Sequence, residues 1–291
     1  MIKKKTMLTA LAAAGLAFTA ISAQAATFTS GGFVKGDLLL GISASGGTGS
    51  GTVVYVNLGL ATNFRDGNFS SINSVDISAV LDATYSGGTA GAWASRTDLY
   101  WGVVAMRTNL PGAGTGAQDP GLTIYVSKAR TSGGTDGQAN STAWGPLSSS
   151  NMSTSGGQIN TLEGSTGAGG STLYASSTII GTASTGATQW NNYNPQGAAG
   201  GASFVNFVSP TLGIEQAFGG SQTVGGHTVV GALDIYRVLN PASGTTTGAY
   251  DGTITLNSSG VLGAVPEPST YALFGLGAVA LMAFRRRLKN A

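Results

Sequence analysis

The stretch Leu99–Arg107, LYWGVVAMR, decides the fold. Successive side chains of a strand point to opposite faces. Trp101, Val103 and Ala105 therefore share one face, and Tyr100, Val104 and Met106 share the other. Both faces are apolar, so the strand needs cover on both sides, as a central strand of a layered sheet does.

Similar segments lie on either side of it. Phe33–Ile42 (FVKGDLLLGI) and Thr52–Leu58 (TVVYVNL) read as strands joined by a Gly/Ser turn. Leu122–Lys128 (LTIYVSK) follows after a loop marked by Pro111, Gly112, Gly114 and Pro120. Leu173–Ile180, Phe204–Val208, Thr228–Val238 (TVVGALDIYRV) and Gly252–Leu256 complete the strands. Ser74–Tyr85 is the clearest helix: Ser74 is placed to cap it, Asp76 sits in its first turn, and Ile77, Val80, Leu81 and Thr84 fall near helical spacing. Residues 133–170 are dominated by Ser, Thr, Gly and Asn, with a short helix expected only around Gln158–Leu162, so this stretch is expected to be mobile. Ser258–Ala264 reads as a linker. Short strands, few helices and Gly-rich turns predict an all-β domain. The expected architecture is an antiparallel β-sandwich or jelly roll with Gly/Ser-rich loops and at most one or two short helices.

Composition narrows the chemistry. Charged residues make up 9% of the chain, against about 25% in ordinary domains. Glycine supplies 47 of 291 residues. The surface is therefore dressed in Ser, Thr, Asn and Gly. The formal net charge of +2 is carried by the ends. Between Ala26 and Gly263 the chain has 7 bases and 11 acids, a net charge of −4, with no Lys/Arg cluster to neutralise phosphates. Nucleic acid is disfavoured as a partner.

The absence of cysteine rules out thiol catalysis, Cys-ligated zinc and disulfides. His227 is the only histidine; it follows Gly225-Gly226 at the mouth of a strand and reads more simply as a turn residue than as a catalytic base. Asp98 and Asp234 border aromatic strands and are the best-placed acids for a glycosidase pair. Pairing with arginine or turn capping is the simpler role for each. Gly112–Ala117 (GAGTGA) looks like a phosphate loop but opens no helix. Neither a cofactor nor a metal is expected, and no catalytic residue is assigned. Trp93 and Trp101 read as core. Trp144 (STAWGP) and Trp190 (QWNNYNP) sit in polar surroundings and are the candidates for stacking on a sugar, although a core or loop-anchor role outweighs it.

Both ends look like address labels. At the N-terminus, Lys3, Lys4 and Lys5 precede an apolar run from Leu8 to Ile21, and Ala23-Gln24-Ala25 forms a small-x-small cleavage site. Residues 1–25 thus read as a signal peptide, leaving a mature chain that begins at Ala26. The C-terminus is VPEPSTYALFGLGAVALMAFRRRLKNA, 265–291. It contains Pro266-Glu267-Pro268, an uncharged run from Tyr271 to Phe284, and Arg285, Arg286 and Arg287. The run is shorter than the ~20 residues of a full span, and the arginines hold its end on the cytoplasmic side.

This three-part tail resembles a PEP-CTERM sorting signal, also catalogued as an ice-binding protein C-terminal domain. The single run Thr245-Thr246-Thr247 is not the regular array that an ice face needs. The resemblance implies a Gram-negative bacterium, transient inner-membrane insertion through the apolar helix, and processing by an exosortase. It also implies export to the envelope surface or extracellular matrix, with biofilm exopolysaccharide as a partner polymer. The expected division is 1–25 signal peptide, 26–263 mature β-rich domain, and 264–291 sorting signal. The expected function is a non-enzymatic structural or adhesive surface protein. A carbohydrate-binding module is the alternative, and a polysaccharide-active enzyme is a third reading.

Overall fold

The computed structural model describes residues 36–266 except 67–71, 73–74, 108–118, 120, 131–137, 168–171, 174–177, 183–189, 195–201, 209–212, 220, 225 and 240–246. Ala23, Ala25, Glu267, Pro268, the Tyr271–Phe284 run and Arg285–Arg287 all lie outside the described residues.

The first hairpin joins β1 (Asp37–Ala44) to β2 (Thr52–Leu60), with Leu40 opposite Val56. Helix α1 (Ala61–Arg65), the short β3 (Val75–Asp76), helix α2 (Ser78–Tyr85) and a 3-10 turn (Ala92–Ser95) follow. Next come β4 (Leu99–Met106) and β5 (Ile124–Ala129). A long helix α3 (Ser149–Gly167) precedes β6 (Thr172–Leu173), β7 (Thr178–Thr182) and the single turn α4 (Trp190–Tyr193). Short strands β8 (Ala202–Ser203), β9 (Phe207–Val208), β10 (Gln216–Ala217), β11 (Gln222–Val224) and β12 (His227–Val229) lead into the long β13 (Gly231–Val238). The sheet is completed by β14 (Ala249–Leu256) and β15 (Val261–Pro266).

The main sheet runs β3-β15-β14-β13-β5-β4-β1-β2-β7-β6, with β10 also pairing β4, and every pairing is antiparallel. The fold is all-β, as expected. Strand β4 is central, between β5 and β1, and it is buried on both faces. The sheet curls, so that one face of β1, β2 and β4 shares a single core with β13, β14 and β15. Leu40, Val54, Trp101, Val103, Leu233 and Ile254 belong to that core, with Leu81 and Tyr85 of α2 plugging it. The opposite face carries Leu39, Tyr55, Val104, Ile124, Val126 and Tyr236 and is covered by α3, α4 and the segment around Trp144.

Three local expectations need correction. Helix α2 begins at Ser78; its first N–H is met by the Asp76 carboxylate, 2.8 Å from the Ser78 nitrogen, and Ser74 lies outside the described residues. The stretch expected to be mobile contains α3, and the described residues hold four α-helices where one or two were expected. Ser148 Oγ accepts the Asn151 N–H at 3.2 Å and so caps α3. The face that α3 turns to the sheet is Met152, Ser155, Gly156, Ile159, Leu162 and Glu163, half of them small or polar. No apolar stripe announces such a helix. Its packing is made by close approach: a Cβ on Gly156 would run into the Met106 thioether. Finally, the segment expected to be a linker is the last strand, because β15 pairs with β14 from Leu262–Leu256 through Pro266–Gly252.

Gly41 in β1 is a second point of close approach, since a Cβ there would meet the six-membered ring of the buried Trp190 indole. Unlike a thioether, a locked indole cannot swing aside. Gly41→Ala is expected to cost about 1–3 kcal/mol through overpacking. Chemical denaturation checks this: the midpoint falls if the contact is as tight as described, and an unchanged midpoint would refute it.

Candidate functional site

At the end of the sheet where β1 begins, three arginines from separate elements converge on one carboxylate. Asp119, whose side chain is fully buried, takes Arg65 Nη1 at 2.9 Å and Arg107 Nη1 at 3.5 Å on Oδ2, and Arg237 Nη1 at 3.2 Å on Oδ1. The Tyr125 hydroxyl donates to Oδ2 at 2.7 Å. Burial, then the Asp119 carboxylate, pushes the Tyr125 phenol well above its ordinary range. Arg65 also forks onto Asp66, with Nε–Oδ1 2.7 Å and Nη2–Oδ2 2.8 Å, and this hydrogen bonding holds the Asp66 carboxyl below the usual range. Arg237 Nε lies 3.8 Å from Asp251 Oδ1. The guanidinium charges are thus met by the protein's own acids, and the set closes the rim of the curled sheet.

A second cluster pins the segment that follows β5. Arg130 and Asp234 form a fully buried ion pair, Nη1–Oδ1 2.9 Å. Thr253 Oγ1 donates to the same carboxylate oxygen at 2.9 Å. Asp234 Oδ2 accepts the backbone N–H groups of Asn140 at 2.7 Å and Ser141 at 2.8 Å, and the Ser141 hydroxyl at 2.9 Å. The Tyr236 hydroxyl donates to the Ser141 carbonyl at 2.6 Å. One carboxylate therefore turns a polar loop into a fixed cover over the sheet.

The third cluster surrounds Trp190. Its backbone N–H donates to the Tyr55 hydroxyl at 3.0 Å, and its indole Nε1 donates to Glu215 Oε1 at 2.9 Å. Tyr55 and Phe204 pack edge-on against the ring, with centroids 6.5 and 6.0 Å away. Burial pushes the Glu215 carboxyl up to about 8, against the smaller opposing effects of hydrogen bonds from Trp190 and Asn194. Nothing in the local sequence GIEQAF marks this residue; only the fold surrounds it with apolar side chains.

Trp190 is fully buried and Trp144 is 5% exposed. Trp144 donates through Nε1 to the Ser127 carbonyl at 3.2 Å and packs edge-on with Phe207, while Lys128 Nζ sits 4.3 Å from its ring centroid. As placed, both rings anchor structure and neither presents an open face to a pyranose. Trp93 and Trp101 lie in the core. Asp98 is forked by Arg96 at 2.8 and 2.7 Å, and Asp234 is paired through one oxygen with Arg130, so the two best-placed acids each hold an arginine and are not brought together. His227 is exposed opposite Val224 in the β11–β12 hairpin. The Gly112–Ala117 loop lies outside the described residues.

The C-terminal junction is different in kind. Strand β15 carries the chain, still paired, to Pro266, where the Pro-Glu-Pro tripeptide begins. Residues 264–287 match the PEP-CTERM protein-sorting motif. The chain carries a PEP-CTERM sorting signal. Such a signal marks proteins exported across the inner membrane to the cell surface or extracellular space, and it implies processing by an exosortase, a membrane enzyme. No curated protein and no solved structure matches the chain. Among the described residues no helix is long and apolar enough to cross a membrane.

Two outcomes follow from the buried clusters. Asp234→Ala leaves Arg130 buried without its carboxylate and is expected to cost about 3–5 kcal/mol, whereas Asp98→Ala, at a partly exposed pair, should cost no more than about 1 kcal/mol. Denaturant titrations of the two variants compare them directly. Glu215 gives a pH signature. Its folded pKa lies above its unfolded value, so its contribution is complete below the ordinary carboxylate range and is lost as pH rises towards about 8. Melting temperature should fall between pH 5 and pH 8, and Glu215→Gln should flatten that slope; an equally steep slope in the variant would remove Glu215 as its cause.

Proposed function

We propose that the exported domain is a non-enzymatic structural or adhesive component of the extracellular matrix, held among exopolysaccharide chains. The observation that carries this reading is the sorting signal at 264–287 joined to a domain of low charge. Export as such is marked by the signal; the matrix role is our reading. A surface of Ser, Thr, Asn and Gly hydrogen-bonds to neutral polymer hydroxyls without the salt dependence of charge-driven binding. A non-catalytic role is supported by the acids themselves, since Asp98 and Asp234 are each committed to an arginine. The absence of cysteine leaves burial alone to hold the exported fold.

The test has two arms. Intact mass of the surface form reports both end cuts, and replacing Pro266 and Pro268 by alanine should leave a heavier, membrane-retained chain. Deleting the gene should weaken matrix cohesion without changing the amount of exopolysaccharide. Unaltered processing in the double-alanine variant would refute the sorting part. Turnover of the host exopolysaccharide by the purified domain would replace the structural role with an enzymatic one.

A further inference from the structure

The sorting signal leaves the sheet without a spacer. Pro266 is still opposite Gly252, and the apolar run begins at Tyr271, five residues on. A chain spans at most ~3.3–3.6 Å per residue, so Tyr271 lies within about 18 Å of Pro266 whatever path it takes. The direction of exit is also fixed. Gly252 pairs with Ile235, next to the row formed by Tyr236, Val126, Val104 and Leu39. Because β15 runs antiparallel to β14, it advances towards the end of the sheet where β1 starts at Asp37 and β2 ends at Leu60. Gly36, the first of the described residues, lies at that same end.

We infer that this rim, formed by Leu60, α1 and the cluster of Arg65, Arg107 and Arg237 around Asp119, faces the phospholipid headgroups while the tail is inserted and before it is cut. The inference rests on the sorting reading and adds an orientation to it. The occupant is the bilayer surface, because the tether is shorter than the domain: β1 alone, at 8 residues, is about 27 Å long. The β1–β2 turn at 45–51 is at the far end. The rim suits such a position. Arg65, Arg107 and Arg237 are balanced by Asp66, Asp119 and Asp251, so the cluster neither attracts nor repels headgroups strongly. Leu60 is an apolar side chain, 49% exposed, at the end of the sheet towards which β15 runs. The contact is set by chain length, so it should persist in high salt.

The cysteine-free sequence allows single-cysteine labelling. A fluorophore is attached at Leu60→Cys or at Ser50→Cys, an exposed position in the β1–β2 turn. The full-length precursor is then studied in membranes lacking the processing enzyme and carrying a headgroup-linked nitroxide quencher. The Leu60 probe should be quenched several-fold more than the Ser50 probe. A Gly/Ser spacer of ~12 residues inserted after Pro268 should erase the difference. Equal or reversed quenching with the protein still membrane-retained overturns the orientation and leaves sorting intact. Release of the precursor from the membrane overturns both. A difference that survives the spacer overturns the tether as its cause.

Discussion

Two-sided burial of the central strands is the constraint on which the rest of the structure depends. A strand such as Leu99–Met106 has no polar face to give to water, so the sheet is stable only if something covers each side. The curl supplies one cover by folding β13–β15 back over the core side of β1, β2 and β4. The other cover is assembled from pieces that are weak by themselves: α3 with its small-residue face, the single turn α4, and a polar loop held by Asp234. Such pieces gain order from what they pack against, since short or apolar-poor helices have little stability alone.

Buried polar groups follow from the same constraint. A chain with few charges still places Arg130, Asp234, Asp119 and Glu215 inside. Where a loop must lie on an apolar sheet, its backbone N–H groups lose water and need acceptors. Asp234 accepts two of them and the Ser141 hydroxyl, and Arg130 balances its charge. Asp119 plays a related part at the rim, where strand ends and α1 meet. Asp98 and Asp234, the acids that border aromatic strands, each hold an arginine in the fold.

The strands were legible in the sequence because their signal is local. Alternating and doubly apolar runs marked β1, β2, β4, β5, β13 and β14, and the tail was legible because its three parts stand in one continuous segment. The elements without a local signal depend on partners far away in the chain. Helix α3 has a buried face of Met152, Ser155, Gly156, Ile159, Leu162 and Glu163, which looks like loop composition until Met106 and Phe204 are set beside it. Strand β15, VLGAVP, was hidden by its Gly and Pro, residues tolerated where a strand is short and lies near a sheet edge. Trp144 and Trp190 stand in polar surroundings, where a core or loop-anchor role outweighs sugar stacking, and the fold covers both rings.

The continuity of β15 with the sorting signal separates folding from addressing. Strand β15 is bonded on one side to β14 along its described length and on the other to the two residues of β3. Those hydrogen bonds belong to Val261–Pro266 and require nothing beyond it. A cut between Pro266 and Tyr271 therefore removes the apolar run and the arginines while leaving the ladder whole. Had a flexible linker joined the two, the tail's insertion would place no demand on the domain. With a paired strand in that position, the orientation we infer follows from the ladder itself, and pairing with β14 holds the chain in the sheet as far as Pro266.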